Sequence, residues 1–316
     1  MDASLTICIP TFNRWESLKR LLHSIFQQER SNEVIVLICD NCSSYPLSDY
    51  IYKEFHDQEK REIKIIKNKY NIGGDANIAS LFLHCDTDWM WMIGDDDEVP
   101  TNALSNILED IERPDNADVV MYKYSIERFP THPDVDVNTI QDFIRTFIDY
   151  KCTAGDFIFL SNNVYNMKIA GKTYSNTLQA CYCAVSQLLP ALFALQMRMG
   201  TIRLRSTSII RYLPPQKGTD WNQFWTGIRI CSIGDVFTDI KHDEYLQINR
   251  FVLQNFNHCL IAKTALGISD RKMGKCHYDK IYKNGFKNNG MKNFAIRFIY
   301  LVSYYTHCDF FKLLGQ

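Results

Sequence analysis

The sequence predicts an α/β fold: an open, mostly parallel sheet with helices on both faces, followed by a mainly helical C-terminal region. Three observations carry this expectation. Short apolar runs alternate with amphipathic stretches four times in about the first 110 residues, the order that parallel strands with crossover helices require. Polar clusters follow directly on the apolar runs, at the strand ends where open α/β sheets bind ligands. The 316-residue chain is 46% hydrophobic with 19 Phe, 17 Tyr and 5 Trp, enough to bury a large core and to exclude a disordered or low-complexity protein.

Leu5 to Ile9, closed by Pro10, reads as a buried strand. Trp15, Leu18, Leu21, Leu22, Ile25 and Phe26 recur at helical spacing. Glu33 to Cys39 is a second strand ending at Asp40-Asn41, a helix spans roughly 47–58, and Ile63 to Ile66 is a third strand. Asn71-Ile72-Gly73-Gly74-Asp75-Ala76-Asn77 opens a helix through about His84. Asp88 to Ile93 is a fourth strand ending at Gly94-Asp95-Asp96-Asp97-Glu98, and Pro100 suits the first turn of the next helix. Later strands are expected at 118–124, 157–165 and Ser208 to Tyr212, around a Pro- and Asp-rich insertion at 130–138 and a helix at about 176–199. A loop, Leu213 to Trp221, follows, and from about 240 the pattern is mostly helical.

Charge divides the chain. Residues 1–150 carry 14 Lys/Arg against 27 Asp/Glu, and residues 151–316 carry 21 against 9. An acidic front and a basic back argue for two functional regions and against a nucleic-acid partner. The 11 cysteines show no repeated ligand spacing and are expected as reduced thiols. No basic n-region precedes the first strand, and the longest uncharged run, Thr173 to Met197, is broken by polar residues and Pro190. A cytoplasmic protein is the expectation.

The sharpest chemical feature is Asp95-Asp96-Asp97. Adjacent carboxylates repel unless a cation or solvent screens them, and hard cations such as Mn²⁺ or Mg²⁺ take such oxygens together with substrate phosphates. A solvated acidic turn at a helix start explains the triplet as well on residue chemistry alone. Gly73 and Gly74 allow close backbone approach to an anion, or belong to an ordinary helix cap. Asp40-Asn41 suits a base or ribose, or a turn; Arg14 suits a phosphate, or the surface.

Together and in order, Ile9-Pro10-Thr11-Phe12-Asn13-Arg14, Cys39-Asp40-Asn41-Cys42-Ser43, Asn71-Ile72-Gly73-Gly74 and Gly94-Asp95-Asp96-Asp97 closely resemble the family 2 glycosyltransferases of the nucleotide-sugar-binding A-type fold. Within these the chain looks most like the abequosyltransferase-type bacterial polysaccharide enzymes, over about residues 1–125. The resemblance implies a nucleotide-diphosphate sugar donor, held by Pro10, Thr11, Asn13, Arg14, Asp40, Asn71, Gly73, Gly74, Asp95 and Asp96. It implies Mn²⁺ or Mg²⁺ at Asp97 and Asp95, with Asp97 the direct ligand. The implied acceptor is a glycan or lipid-linked saccharide in O-antigen or capsule biosynthesis. Residues 1–225 would form the catalytic domain, 1–125 for the donor and 126–225 for the acceptor, with 226–316 a helical, basic region.

One departure stands out. Inverting relatives carry a catalytic carboxylate on a helix corresponding to 176–199, and here that stretch has no Asp or Glu. Asp220, beside Trp221 in a Pro- and Gly-flanked loop, is the first substitute and Asp156 the second. Two other functions compete: a sugar nucleotidyltransferase, disfavoured because the first loop lacks glycine, and a non-catalytic carbohydrate-binding or assembly protein. Finally, Arg271 to Gln316 carries nine Lys/Arg and two Asp with an apolar stripe (Met291, Phe294, Phe298, Val302, Tyr305), which predicts either docking on an anionic membrane surface or internal packing.

Overall fold

The computed structural model describes residues 3–55, 62–127, 131–211, 223–232, 242–254, 256–287 and 290–313. The chain forms two compact units, Met1–Pro214 and Pro215–Gln316. The helix Gln223–Ile230 therefore belongs to the second unit, although residues up to 225 were expected in the first.

The first unit is built on one eight-stranded sheet: β1 (Leu5–Thr11), β2 (Val34–Asp40), β3 (Glu62–Lys67), β4 (Trp89–Met92), β5 (Val119–Ser125), β6 (Val135–Val137), β7 (Asn163–Asn166) and β8 (Thr201–Ser208), in the order β3-β2-β1-β4-β7-β5-β8-β6. β3, β2, β1 and β4 run parallel, and Thr11 of β1 lies level with Asp40 of β2. β1 and β4 are almost wholly buried, as central parallel strands covered on both faces must be. The crossovers are α1 (Trp15–Phe26), α2 (Leu47–Phe55) and α3 (Gly74–His84), while α4 (Ala103–Ile111) leads into β5. Leu18, Leu21, Leu22, Ile25 and Phe26 form the buried stripe of α1. Gly73 precedes α3 at its N-cap, and its φ of +85° is a conformation open to glycine at little cost.

The second half of the sheet departs from the expected pattern in three places. The strand expected at 157–165 is shorter: a helical turn, Ala154–Ile158, comes first, and β7 then inserts antiparallel between β4 and β5. The strand expected at 208–212 lies instead at Thr201–Ser208 and shares only Ser208 with that run. In β8, Ile202 and Leu204 are buried, while Arg203 and Arg205 reach Asp136 and Asp110. Salt-bridged arginines hid this alternation among polar residues. The helix expected at 176–199 is broken into Tyr174–Ala180 and Leu189–Gln196. Pro190 suits only the first turn of a new helix, and Ala184, at φ 62°, has left the helical region between them.

The described elements of the second unit are all helical: Gln223–Ile230, His242–Leu253, His258–Leu266, Arg271–Ile281, a π-type turn at Tyr282–Phe286, Met291–Thr306 and Phe310–Leu313. Gly285 lets that turn press onto the helix His242–Leu253; a Cβ there would lie 2.5 Å from the Leu253 side chain. Among the described residues no helix is long and apolar enough to cross a membrane. None of the 11 cysteines is in a disulfide.

Candidate active site

Four loops carrying the sequence-predicted residues meet at the C-terminal edge of β1, β2, β3 and β4, and side chains tie them into one rim. From the loop after β1, Thr11 donates its hydroxyl to Asp95 Oδ2 at 2.7 Å, and Arg14 Nη1 reaches Asp95 Oδ1 at 3.2 Å and Asp96 Oδ2 at 3.0 Å. Asn13 takes a left-handed conformation, φ 55°, and joins the loop after β2: its amide donates to Ser43 Oγ, and its side-chain carbonyl accepts from the Ser44 amide at 2.8 Å. Strained backbone of this kind is retained where neighbours fix it, often at functional sites. Pro10 lies within β1, level with Cys39.

Asp40 closes β2 and is fully buried. Its Oδ1 accepts from the Ser43 amide at 2.8 Å, whereas Oδ2 has no hydrogen-bond partner and only Lys67 Nζ at 3.7 Å. Asn41 links onward to the third loop. Its Nδ2 donates to Asn71 Oδ1 at 2.9 Å, and its Oδ1 accepts from the Ile72 amide at 3.0 Å. Asn71 Oδ1 also takes the Gly73 amide, so this side chain shapes the turn that opens α3. Space for a side chain at Gly73 and Gly74 is empty to 4 Å.

The acidic loop after β4 is the most perturbed part. Asp95 is 4% exposed, and burial raises its carboxyl to about 6; burial also raises that of half-buried Asp97 to about 7, with the neighbouring carboxylates adding to it. Each shift opposes ionisation. Arg14 offsets the charge of Asp95 and Asp96, and Arg20 anchors the loop by donating to the Asp96 carbonyl at 3.1 Å. Asp97 Oδ2 accepts from the Ser161 hydroxyl.

The donor set fits a hard divalent cation. Among the described residues, Asp97 Oδ1 and Asp96 Oδ1 have no hydrogen-bond partner, while both oxygens of Asp95 are engaged by Thr11 and Arg14. No cluster of three or more metal-ligating side chains occurs among the described residues. One or two carboxylates completed by phosphate oxygens is the usual arrangement for Mg²⁺.

Of the two candidate bases, only Asp156 is described, and it lies outside the rim. Asp220 lies outside the described residues. Asp156 is fully buried beside equally buried Lys123, and Asn162 bridges the two: its Nδ2 donates to Asp156 Oδ1 at 3.0 Å and its Oδ1 accepts from Lys123 Nζ at 2.8 Å. Burial raises the Asp156 carboxyl and lowers the Lys123 ammonium. Asn41 is marked in the sequence by its place beside Asp40, whereas Ser43, Lys67, Arg20 and Ser161 are not. Ser43 and Lys67 stand within or close to the polar clusters, but nothing local marks Arg20 or Ser161.

The family model for Glycosyl transferase family 2 matches residues 6–169, just over half of the chain. Abequosyltransferase RfbV of Salmonella typhimurium strain LT2 is 31% identical over 102 residues, which is 32% of this chain and 30% of that protein. Among solved structures, Staphylococcus aureus TarS 1-349 in complex with UDP-GlcNAc superposes with a TM-score of 0.59 at 13% identity, over 88% of this chain and 79% of that one. The mannosyltransferase PcManGT from Pyrobaculum calidifontis, in complex with GDP-Man and Mn²⁺, gives 0.52 at 11% identity, over 94% and 79%. These structures share the fold. The family match covers all four loops of the rim, and by it this chain belongs to glycosyl transferase family 2.

Proposed function

We propose that the chain transfers a glycosyl unit from a nucleotide-diphosphate sugar to a glycan or lipid-linked saccharide in the biosynthesis of a bacterial surface polysaccharide, O-antigen or capsule. The observation that carries this reading is the rim itself: four loops whose polar residues are hydrogen-bonded to one another around an acidic strand end. The abequosyltransferase similarity supports the polysaccharide role, and the nucleotide sugars bound by TarS and PcManGT support the donor class.

In this proposal Asp40 and the loops of Asn13 and Asn71 hold the nucleoside. Gly73 and Gly74 allow the diphosphate to approach the start of α3. Asp97, with Asp96 or Asp95, would hold Mn²⁺ or Mg²⁺, which supplies Lewis-acid stabilisation of the leaving diphosphate. Arg14, paired with Asp95 and Asp96, would supply a positive charge to the diphosphate. If the reaction inverts, a base must take the acceptor proton. Complete burial beside Lys123 supports a structural role for Asp156 and leaves Asp220 as the proposed base.

Incubation with a panel of nucleotide sugars in Mn²⁺, with release of nucleoside diphosphate as the readout, tests the donor class. Turnover of at least one donor, abolished by Asp97→Ala, is expected. Binding of saccharides with no turnover of any donor would instead favour the non-catalytic alternative. Full turnover by Asp220→Asn with the true acceptor would remove Asp220 as base.

Attachment to an anionic membrane surface is a further part of the proposal. On the helix Met291–Thr306, Ile296, Tyr300 and Ser303 are buried, whereas Met291, Phe294, Phe298 and Tyr305 are exposed at spacings of one and two turns. No acidic residue occurs between Asp279 and Asp309, while Lys283, Lys287 and Lys292 are exposed. Each basic residue near an anionic leaflet contributes about 1 kcal/mol. Flotation with anionic vesicles, weakened by salt and lost in Phe294→Ser/Phe298→Ser, is expected; no flotation of the intact chain would exclude attachment.

A further inference from the structure

We infer that Ser161 is a positioning residue for the acidic loop, holding Asp97 in the orientation that offers its second oxygen to the divalent cation. This rests on the proposed donor site. Ser161 belongs to neither the acidic motif nor any of the four loops, yet its hydroxyl closes that motif from outside. The Oγ accepts from the Gly94 amide at 2.8 Å and donates to Asp97 Oδ2. The turn it clasps is tight: the Asp97 amide donates to the Gly94 carbonyl at 3.2 Å, and a Cβ at Gly94 would stand 3.1 Å from Asp97 Oδ2. One fully buried hydroxyl thus fixes both ends of the turn and selects which oxygen of Asp97 remains open.

Ser161 is itself held by the core. Its carbonyl accepts from Trp91 Nε1 at 2.8 Å, and Trp91 is a fully buried residue of β4. The next residue, Asn162, is tied to β5: its carbonyl accepts from the Tyr124 amide at 2.9 Å. Its side chain donates to the Tyr124 carbonyl and to Asp156, and accepts from Lys123. The buried Lys123–Asp156 pair, which takes no direct part in the rim, therefore braces the segment that carries Ser161. A carboxylate fixed this way meets a cation without first giving up rotamer freedom, and loss of such outer partners typically weakens metal binding by about 10- to 100-fold.

The test uses the full chain and titration calorimetry of Mn²⁺ in the presence of UDP, GDP, CDP or dTDP, whichever the wild type binds most tightly. Ser161→Ala is expected to lower Mn²⁺ affinity about tenfold or more. Ser161→Thr, which keeps the hydroxyl, should retain most of it. Turnover should follow as a raised Mn²⁺ requirement, with kcat recovered at saturating Mn²⁺. If Ser161→Ala fails to fold, Ser161→Cys takes its place with the same expected loss. Wild-type affinity in the Ala or Cys variant, or an equal loss in Ser161→Thr, would overturn the role of Ser161 and leave the donor site standing. A wild type that binds none of the four diphosphates with Mn²⁺ would overturn the donor site, and this inference with it.

Discussion

Asp97 is held against its own electrostatic preference, and replacing it by Asn separates stability from function. Burial lifts its carboxyl from 3.8 to about 7. The folded state therefore keeps a proton that the unfolded chain releases near pH 4. That contribution is complete below pH 4 and is lost as pH rises towards 7, after which it stays lost. A rise from 3.8 to about 7 corresponds to at most about 4 kcal/mol, at about 1.36 kcal/mol per tenfold change in proton affinity. The group is only half-buried and shares the shift with Asp95 and Asp96, so about 2 kcal/mol is the working figure. Asp97→Asn keeps an acceptor for Ser161 without the charge. It should thus be more stable than wild type at pH 8 by about 2 kcal/mol, or roughly 4–8 °C in Tm for a unit of this size. The two proteins should converge near pH 4. Scanning calorimetry in metal-free buffer at several pH values measures this. Adding Mn²⁺ and nucleoside diphosphate should raise the wild type and leave the variant unmoved, because only a state that binds ligand is stabilised by it. A variant that melts below wild type at pH 8, or a gap independent of pH, would refute the reasoning.

Three further outcomes follow from the same geometry. Metal-dependent nucleotide binding should weaken about tenfold between pH 8 and pH 6, as the Asp97 carboxylate takes up a proton near 7; calorimetry giving a flat profile would remove Asp97 as ligand. Asp156→Asn should cost about 1–3 kcal/mol in denaturant unfolding below pH 7, where Lys123 keeps its proton, and less above it, and Lys123→Met/Asp156→Asn should remove the pH dependence; the same pH dependence in both would deny the coupling. Gly285→Ala should cost about 1–3 kcal/mol by collision with Leu253, and Leu253→Ala in the same chain should relieve part of that cost; an unchanged Tm on Gly285→Ala would show that the helices can part freely.

The sequence by itself determined the parallel half of the sheet, β1 to β4. β1, β2 and β4 are continuous apolar runs because both their faces are covered, and α1 shows its buried stripe because helical periodicity is local. The candidate residues of the rim stand out in the sequence for the same reason: each cluster stands at the end of its own strand. Tertiary structure decided everything that depends on neighbours distant in the chain. β8 is built on arginines that are tolerable in a sheet only because Asp110 and Asp136 meet them. β7 is four residues, two of them asparagine, and becomes a strand only by insertion between β4 and β5. Asp156, a plausible catalytic carboxylate by residue type, pairs inward with Lys123 from 33 positions away, which no local pattern records. Ser161 meets Asp97 across 64 positions of sequence. A hydroxyl, a carboxylate or an arginine carries its chemistry in the sequence, but its partner, its burial and hence its ionisation are set only when the sheet brings remote segments together.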